Sequence, residues 1–129
     1  MDWSKVRCVT VAYGTNDMNG SVTIDNENDK YDKTTFKGAL RYGIEKILTA
    51  YPLITLILLS PLYRYRSPGE DYSIIDYDSD TGNGSGGFVM QPYLTALEEI
   101  ADEYHLPYFD NYNRIGLNKI TAKTWLSDG

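Results

Sequence analysis

Apolar residues recur along this chain with two rhythms. Residues 5–13, KVRCVTVAY, form a valine-rich run that stops at Gly14, and they predict a β-strand. Residues 18–33, MNGSVTIDNENDKYDK, are polar and hold two clusters of Gly, Asn and Asp, so they predict a loop. The rhythm then changes. Phe36, Leu40, Ile44, Ile47, Leu48 and Tyr51 fall at three- and four-residue spacings, one apolar stripe of a helix running to about Ala50. Thr34 or Thr35 can cap its start, and Pro52 ends it. Residues 53–60, LITLILLS, are apolar without alternation, which suits a strand buried on both faces in a parallel sheet.

Residues 61–89 form a long irregular stretch containing Pro61, Pro68 and the segment TGNGSGG. Loops of this length usually carry function or move. A second amphipathic helix is predicted over Gln91 to His105, with Tyr93, Leu94, Leu97, Ile100, Ala101 and Tyr104 on one face. Pro107 follows, then a short strand around Tyr108 to Asp110 and a weaker helical pattern over 112–124. Strand, helix, strand, helix, strand, helix is the order of an α/β domain with a parallel sheet and right-handed crossovers. Residues 1–129 read as a single domain.

Composition narrows the function. The formal charge of -6 and a pI near 4.6 make the average surface repel nucleic acid and anionic membranes. The longest apolar run, Leu53 to Leu59, is too short to cross a bilayer. One cysteine, Cys8, excludes an intrachain disulfide and paired-cysteine zinc sites. Its place in the first strand predicts a small core residue. No metal site and no cofactor are expected. Asp76, Asp78 and Asp80 alternate like the opening of a calcium loop, but Thr81 and Gly87 stand where glycine and glutamate are needed. A solvated acidic loop is the reading there and for residues 25–32, DNENDKYD.

The candidate chemistry sits at the end of the first strand, in AYGTNDMNG. Ligands in open α/β sheets bind at the carboxyl ends of strands. VTVAYGTND resembles the third conserved block of the SGNH (GDSL-type) hydrolases, a buried strand followed by Gly-x-Asn-Asp. LITLILLSP is similar to that family's next core strand. YLTALEEIADEYHLPYFD resembles its following helix and strand, and WLSDG the opening of its last block, Asp-Gly-x-His-Pro. The resemblance implies a three-layer α/β/α flavodoxin-like sheet, incomplete here, with strands corresponding to the family's third to fifth. It also implies roles. Asn16 would donate its amide to the oxyanion of a tetrahedral intermediate. Gly14 would allow the sharp turn. Asp17 would hold that turn by accepting backbone N–H bonds. Asp128 would orient a catalytic histidine. The substrate would be a small-molecule or carbohydrate ester, with Thr15 beside it. Apart from the resemblance, YRYRSPG gathers Tyr63, Arg64, Tyr65 and Arg66 just after the second strand, either as a substrate wall or with the arginines paired to Glu70, Asp71 and Asp76.

The departures are as informative. There is no Gly-Asp-Ser nucleophile block and no Gly-x-Ser-x-Gly elbow. The histidine expected three residues after Asp128 lies beyond Gly129. The single histidine, His105, ends a predicted helix and reads as a capping or surface residue. The chain thus resembles the C-terminal two-thirds of such a hydrolase, retaining an oxyanion donor and the acid. Two readings follow: a fragment of a serine ester hydrolase, inactive alone, or a non-catalytic α/β binding or assembly module. In either, the strand at 6–13 lacks the neighbour that the family's first strand supplies. That exposed edge predicts self-association. The compartment is not determined by the sequence.

Overall fold

The computed structural model describes residues 2–66, 77–78, 89–118 and 120–125. After a single 3-10 turn at Trp3–Lys5 come β1 (Cys8–Ala12), α1 (Thr15–Asn19), α2 (Phe36–Ala50) and β2 (Thr55–Leu59). Then follow β3 (Tyr65–Arg66), β4 (Tyr77–Asp78), α3 (Gln91–Glu103), β5 (Tyr108–Phe109), α4 (Asn111–Arg114) and α5 (Ala122–Trp125). β1, β2 and β5 form a parallel sheet in that order, with Val9 beside Leu56, Val11 beside Leu58 and Leu58 beside Tyr108. β3 and β4 make a separate antiparallel ribbon. This is an α/β molecule with a three-stranded parallel sheet flanked by helices, an incomplete flavodoxin-like fold.

Helix α2 starts where the pattern placed it. Thr35 is the cap, its hydroxyl oxygen accepting from the Gly38 N–H at 3.2 Å. Its stripe of Phe36, Leu40 and Ile44 is buried, with Ile47 and Leu48 packed at the margin. Tyr51 leaves the stripe and stacks on Trp3 at 5.3 Å. On α3 the predicted face is buried, with Ala96 added and Tyr104 at its edge. The two helices pack on one another. Successive right-handed crossovers that step in one direction across a sheet keep their helices on one side.

The structure corrects several expectations. β2 is not buried on both faces: Leu56 and Leu58 are buried, Ile57 and Leu59 are half-buried, and Thr55 is exposed. Leu53, inside the apolar run, is 96% exposed, because the strand starts only at Thr55. Cys8 is exposed rather than a core residue, since alternation along β1 aims Cys8, Thr10 and Ala12 away from the helices. Further along, α3 ends at Glu103, and His105 follows it at φ 52°, exposed, its N–H donating to the Asp102 carbonyl. The helix expected over 112–124 is broken into α4 and α5 by a turn at Gly116, φ 83°. The strand expected over 5–13 is shorter at both ends, and α1 occupies the start of the expected loop.

The polar stretch 20–35 is held by side chains rather than by regular structure. The Arg41 guanidinium, 7% exposed, bonds Asp25 at 2.9 Å and Glu103 at 2.9 Å, and donates to the Lys30 carbonyl. Lys37 reaches Asp25 and Glu99, both at 3.0 Å. This network ties the loop to α2 and α2 to α3. Burial pushes the Asp25 carboxyl up, but the hydrogen bonds from Arg41 and Lys37 outweigh it and bring it down to about 2. Asp32 closes the turn before the helix, accepting from Thr34 and Asn26, which also lowers its carboxyl. Glu45 accepts from the hydroxyls of Tyr31 and Tyr104 at 2.7 Å each. Among the described residues no helix is long and apolar enough to cross a membrane.

Two measurements test this network. Arg41→Ala leaves Asp25 and Glu103 without their shared cation and is expected to cost about 2–3 kcal/mol, between a surface pair and a buried one, in urea unfolding at pH 7. The Asp25 carboxyl is lower folded than unfolded, so its stabilisation is present above its ordinary 3.8 and is lost as pH falls toward about 2. Asp25→Asn should therefore flatten the pH dependence of stability between pH 4 and 2, in urea titrations across that window.

Candidate functional site

The end of β1 turns sharply at Gly14, whose φ of 127° and ψ of -31° favour glycine. The turn is also crowded. A Cβ on Gly14 would lie 3.0 Å from Pro61 Cγ and 3.8 Å from Phe36 Cζ. The loops that leave β1 and β2 therefore meet at this glycine, at the carboxyl end of the sheet. Directly after it, α1 is closed by main chain: the Met18 N–H donates to the Gly14 carbonyl at 2.9 Å and the Val22 N–H to the Asp17 carbonyl at 2.9 Å. Met18 is fully buried and anchors the turn in the core. Beneath it, Phe36 meets Tyr93 edge-on at 5.2 Å, and the Tyr93 hydroxyl donates to the Val22 carbonyl at 2.7 Å.

On this floor stands a cavity of about 250 Å³ lined by Ala12, Tyr13, Gly14, Thr15, Asn16, Asp17 and Pro61. Asn16 is exposed, and its side-chain amide takes part in no hydrogen bond among the described residues. It is a neutral donor free to meet a ligand. Thr15 and Asp17 are half-buried beside it. The Asp17 carboxylate does not hold the turn as expected, because the cap of α1 has no side-chain hydrogen bond and backbone groups close it. Instead the Asp17 charge faces the Tyr93 phenol, and burial first, then that charge, raises the phenol above its usual range.

The other sequence candidates are not among the residues that line this cavity. Tyr63 is 3% exposed and meets Tyr112 edge-on at 5.7 Å, so its ring belongs to the core and not to a substrate wall. Arg64 is half-buried in the segment between β2 and β3. Tyr65 pairs with Asp78 in the β3–β4 ribbon. Asp128 lies outside the described residues, as do Glu70, Asp71, Asp76, Asp80, Thr81 and Gly87. His105 precedes β5 and so stands at the amino end of the parallel sheet, opposite the Asn16 cavity. Ser60, at the tip of β2, is buried, and its hydroxyl is engaged: it accepts from the Tyr112 N–H at 2.9 Å and donates to the Pro61 carbonyl at 3.2 Å. No group of three His, Cys, Asp or Glu side chains placed to hold a metal occurs among the described residues.

Sequence reasoning did not foresee the contributions of Pro61, Tyr13 and Phe36. Pro61 was visible as the end of a Ser-Pro pair, yet its contact with Gly14 depends on the side-by-side pairing of β1 and β2. Tyr13, 59% exposed, closes the apolar run and lines the cavity mouth.

Solved structures share this fold. A protein from Lactobacillus plantarum superposes with a TM-score of 0.72 at 22% identity, over 93% of this chain and 55% of its own. A protein described as a possible lipase from Chitinophaga pinensis gives 0.67 at 21% identity, over 91% and 47%. A further crystal structure gives 0.68 at 26% identity, over 86% and 48%. The chain spans about half the length of the solved structures it matches. No protein-family model and no curated protein matches the sequence.

Gly14→Ala tests the turn. The positive φ and the contact with Pro61 are expected to cost about 2 kcal/mol together, read by urea unfolding. The cavity should also distort, seen as shifts of the Thr15, Asn16 and Asp17 amide resonances.

Proposed function

We propose that this chain is part of a serine ester hydrolase of the acyl esterase or carbohydrate deacetylase class, similar to the SGNH hydrolases. In this reading it carries the Gly-x-Asn-Asp oxyanion element. The nucleophilic serine and the general-base histidine come from sequence outside it. The observation that carries the reading is Asn16: an exposed, unengaged amide beside a glycine of positive φ, in a cavity at the carboxyl ends of parallel strands. When a serine hydroxyl attacks an ester carbonyl, negative charge gathers on the carbonyl oxygen. A neutral amide held at that point stabilises the charge without needing a proton of its own, typically worth about 10²- to 10³-fold in rate. Thr15 lies on the wall of the same cavity and would touch the acyl or alcohol group. Asp128 would orient the histidine and stabilise its cation. Arg64 and Tyr65 would contact the substrate from the segment after β2. The substrate is a small-molecule or carbohydrate ester, and no cofactor takes part. The likeness to a possible lipase supports the coarser part of this reading, a hydrolase-type fold.

Within the chain itself, the single histidine and the Asn16 cavity occupy opposite ends of the sheet. That separation favours, as a second reading, a non-catalytic binding or assembly module of the same fold.

The purified chain should show no Asn16-dependent turnover of an activated acetate ester. A protein extended in both directions from the source locus should contain Gly-Asp-Ser upstream and x-His-Pro after Gly129, and should hydrolyse that ester. In the extended protein Asn16→Ala should lower kcat by about 10²- to 10³-fold with KM little changed. An extended protein without these blocks, or one indifferent to Asn16, would establish the second reading instead.

A further inference from the structure

We infer that Tyr93 is a positioning residue for Asn16: its hydroxyl, acting through the Val22 carbonyl, fixes the turn that carries the Asn16 amide. The inference deepens the esterase reading and rests on it.

That turn needs support from outside. α1 is five residues long, and its cap makes no side-chain hydrogen bond. A helix this short is not stable by itself in water. The Asn16 carbonyl accepts from the Gly20 N–H at 2.8 Å, while its side-chain amide is unengaged among the described residues. Its position therefore comes from the chain on either side. On the entry side Gly14 lies against Pro61. On the exit side Ser21 turns the chain back at φ 52°, and the Val22 N–H returns to the Asp17 carbonyl at 2.9 Å.

Three successive carbonyls then tie down the exit. Those of Thr23 and Ile24 accept from the N–H groups of Phe36 and Lys37, at 2.9 Å each. These are the first two donors of α2, which have no partner within the helix. Both bonds are main chain to main chain, so no single side chain decides them. The Val22 carbonyl, nearest the turn, is different. It accepts from the Tyr93 hydroxyl at 2.7 Å and from no other group among the described residues. One side chain thus holds the residue that closes α1.

Tyr93 is built for that task. It is 7% exposed, in the first turn of α3. Its ring meets Phe36 edge-on, and Phe36 Cζ is an atom that a Cβ on Gly14 would approach. Phe36 and Tyr93 therefore brace the two ends of one turn. Burial and the Asp17 charge keep the phenol protonated, so it donates at neutral pH. Packing already fixes the ring, as a support for a functional group requires.

Rate depends on this tie because an oxyanion donor must sit at hydrogen-bond distance from the point where charge forms. With Val22 released, the turn samples other positions, and a misplacement of about 1 Å costs up to about 10²-fold. Phenylalanine at position 93 keeps the ring and removes the bond.

The test uses the protein extended from the source locus. Tyr93→Phe, Asn16→Ala and the double variant are compared by kcat and KM on the activated acetate ester. Tyr93→Phe should lower kcat about tenfold, with KM changed by less than about twofold. The double variant should match Asn16→Ala within about twofold, because Tyr93 acts only through Asn16. Amide exchange in the 129-residue chain separates local release from general destabilisation. In Tyr93→Phe the Val22 N–H should exchange about tenfold faster, and the Ile44 N–H of α2 within about twofold of its original rate. An unchanged kcat in Tyr93→Phe, an effect that multiplies with Asn16→Ala, or a Val22 exchange rate that moves no more than that of Ile44 would overturn the inference and leave the esterase reading standing. An Asn16→Ala enzyme of full rate would overturn both.

Discussion

The parallel pairing of β1 with β2, from Cys8 beside Thr55 to Ala12 beside Leu59, is the constraint from which the rest of the molecule follows. Because the strands run in the same direction, both of their carboxyl ends arrive at one place, and the chain leaving each must turn there. The turn after β1 has to pass Pro61 at van der Waals distance. A Cβ there would crowd the Pro61 ring, and Gly14 takes a backbone conformation that other residues rarely adopt. The Asn16 cavity is thus a by-product of strand direction as much as of the residues that line it.

The same pairing makes a right-handed crossover of α2 necessary, and the next step to β5 repeats it with α3. Both helices then fall on one face, where Phe36, Leu40, Ile44, Leu94, Leu97 and Ile100 meet Leu56 and Leu58 in one core. The helices are held by more than this apolar contact. Arg41 is nearly buried between Asp25 and Glu103, so the acidic loop before α2 becomes a clasp. Charge that reads as a solvated run in the sequence is spent on neutralising a buried guanidinium.

On the far face, Cys8, Thr10, Thr55 and Phe109 remain exposed, Phe109 at 56%. The chain covers about half of each solved structure it matches. The exposed edge and the incompletely covered face are two aspects of one geometry: a sheet that steps in a single direction from an edge strand.

Local sequence patterns alone determined the two long helices, their buried faces, a threonine cap at position 34 or 35 and the three parallel strands. These are local properties, set by the 3.6-residue repeat, by capping chemistry and by apolar runs. The same patterns marked Gly14 and Asn16, because a polar Gly-x-Asn-Asp after an apolar strand is a local anomaly. Only the tertiary structure decided that Cys8 faces outward, that Tyr63 is a core ring, that His105 stands at the opposite end of the sheet from Asn16, and that Pro61 lines the cavity. Each of these depends on which strands are neighbours and which face the helices cover. Neighbours and faces are set by chain direction and crossover hand, relations between distant residues that no local pattern encodes.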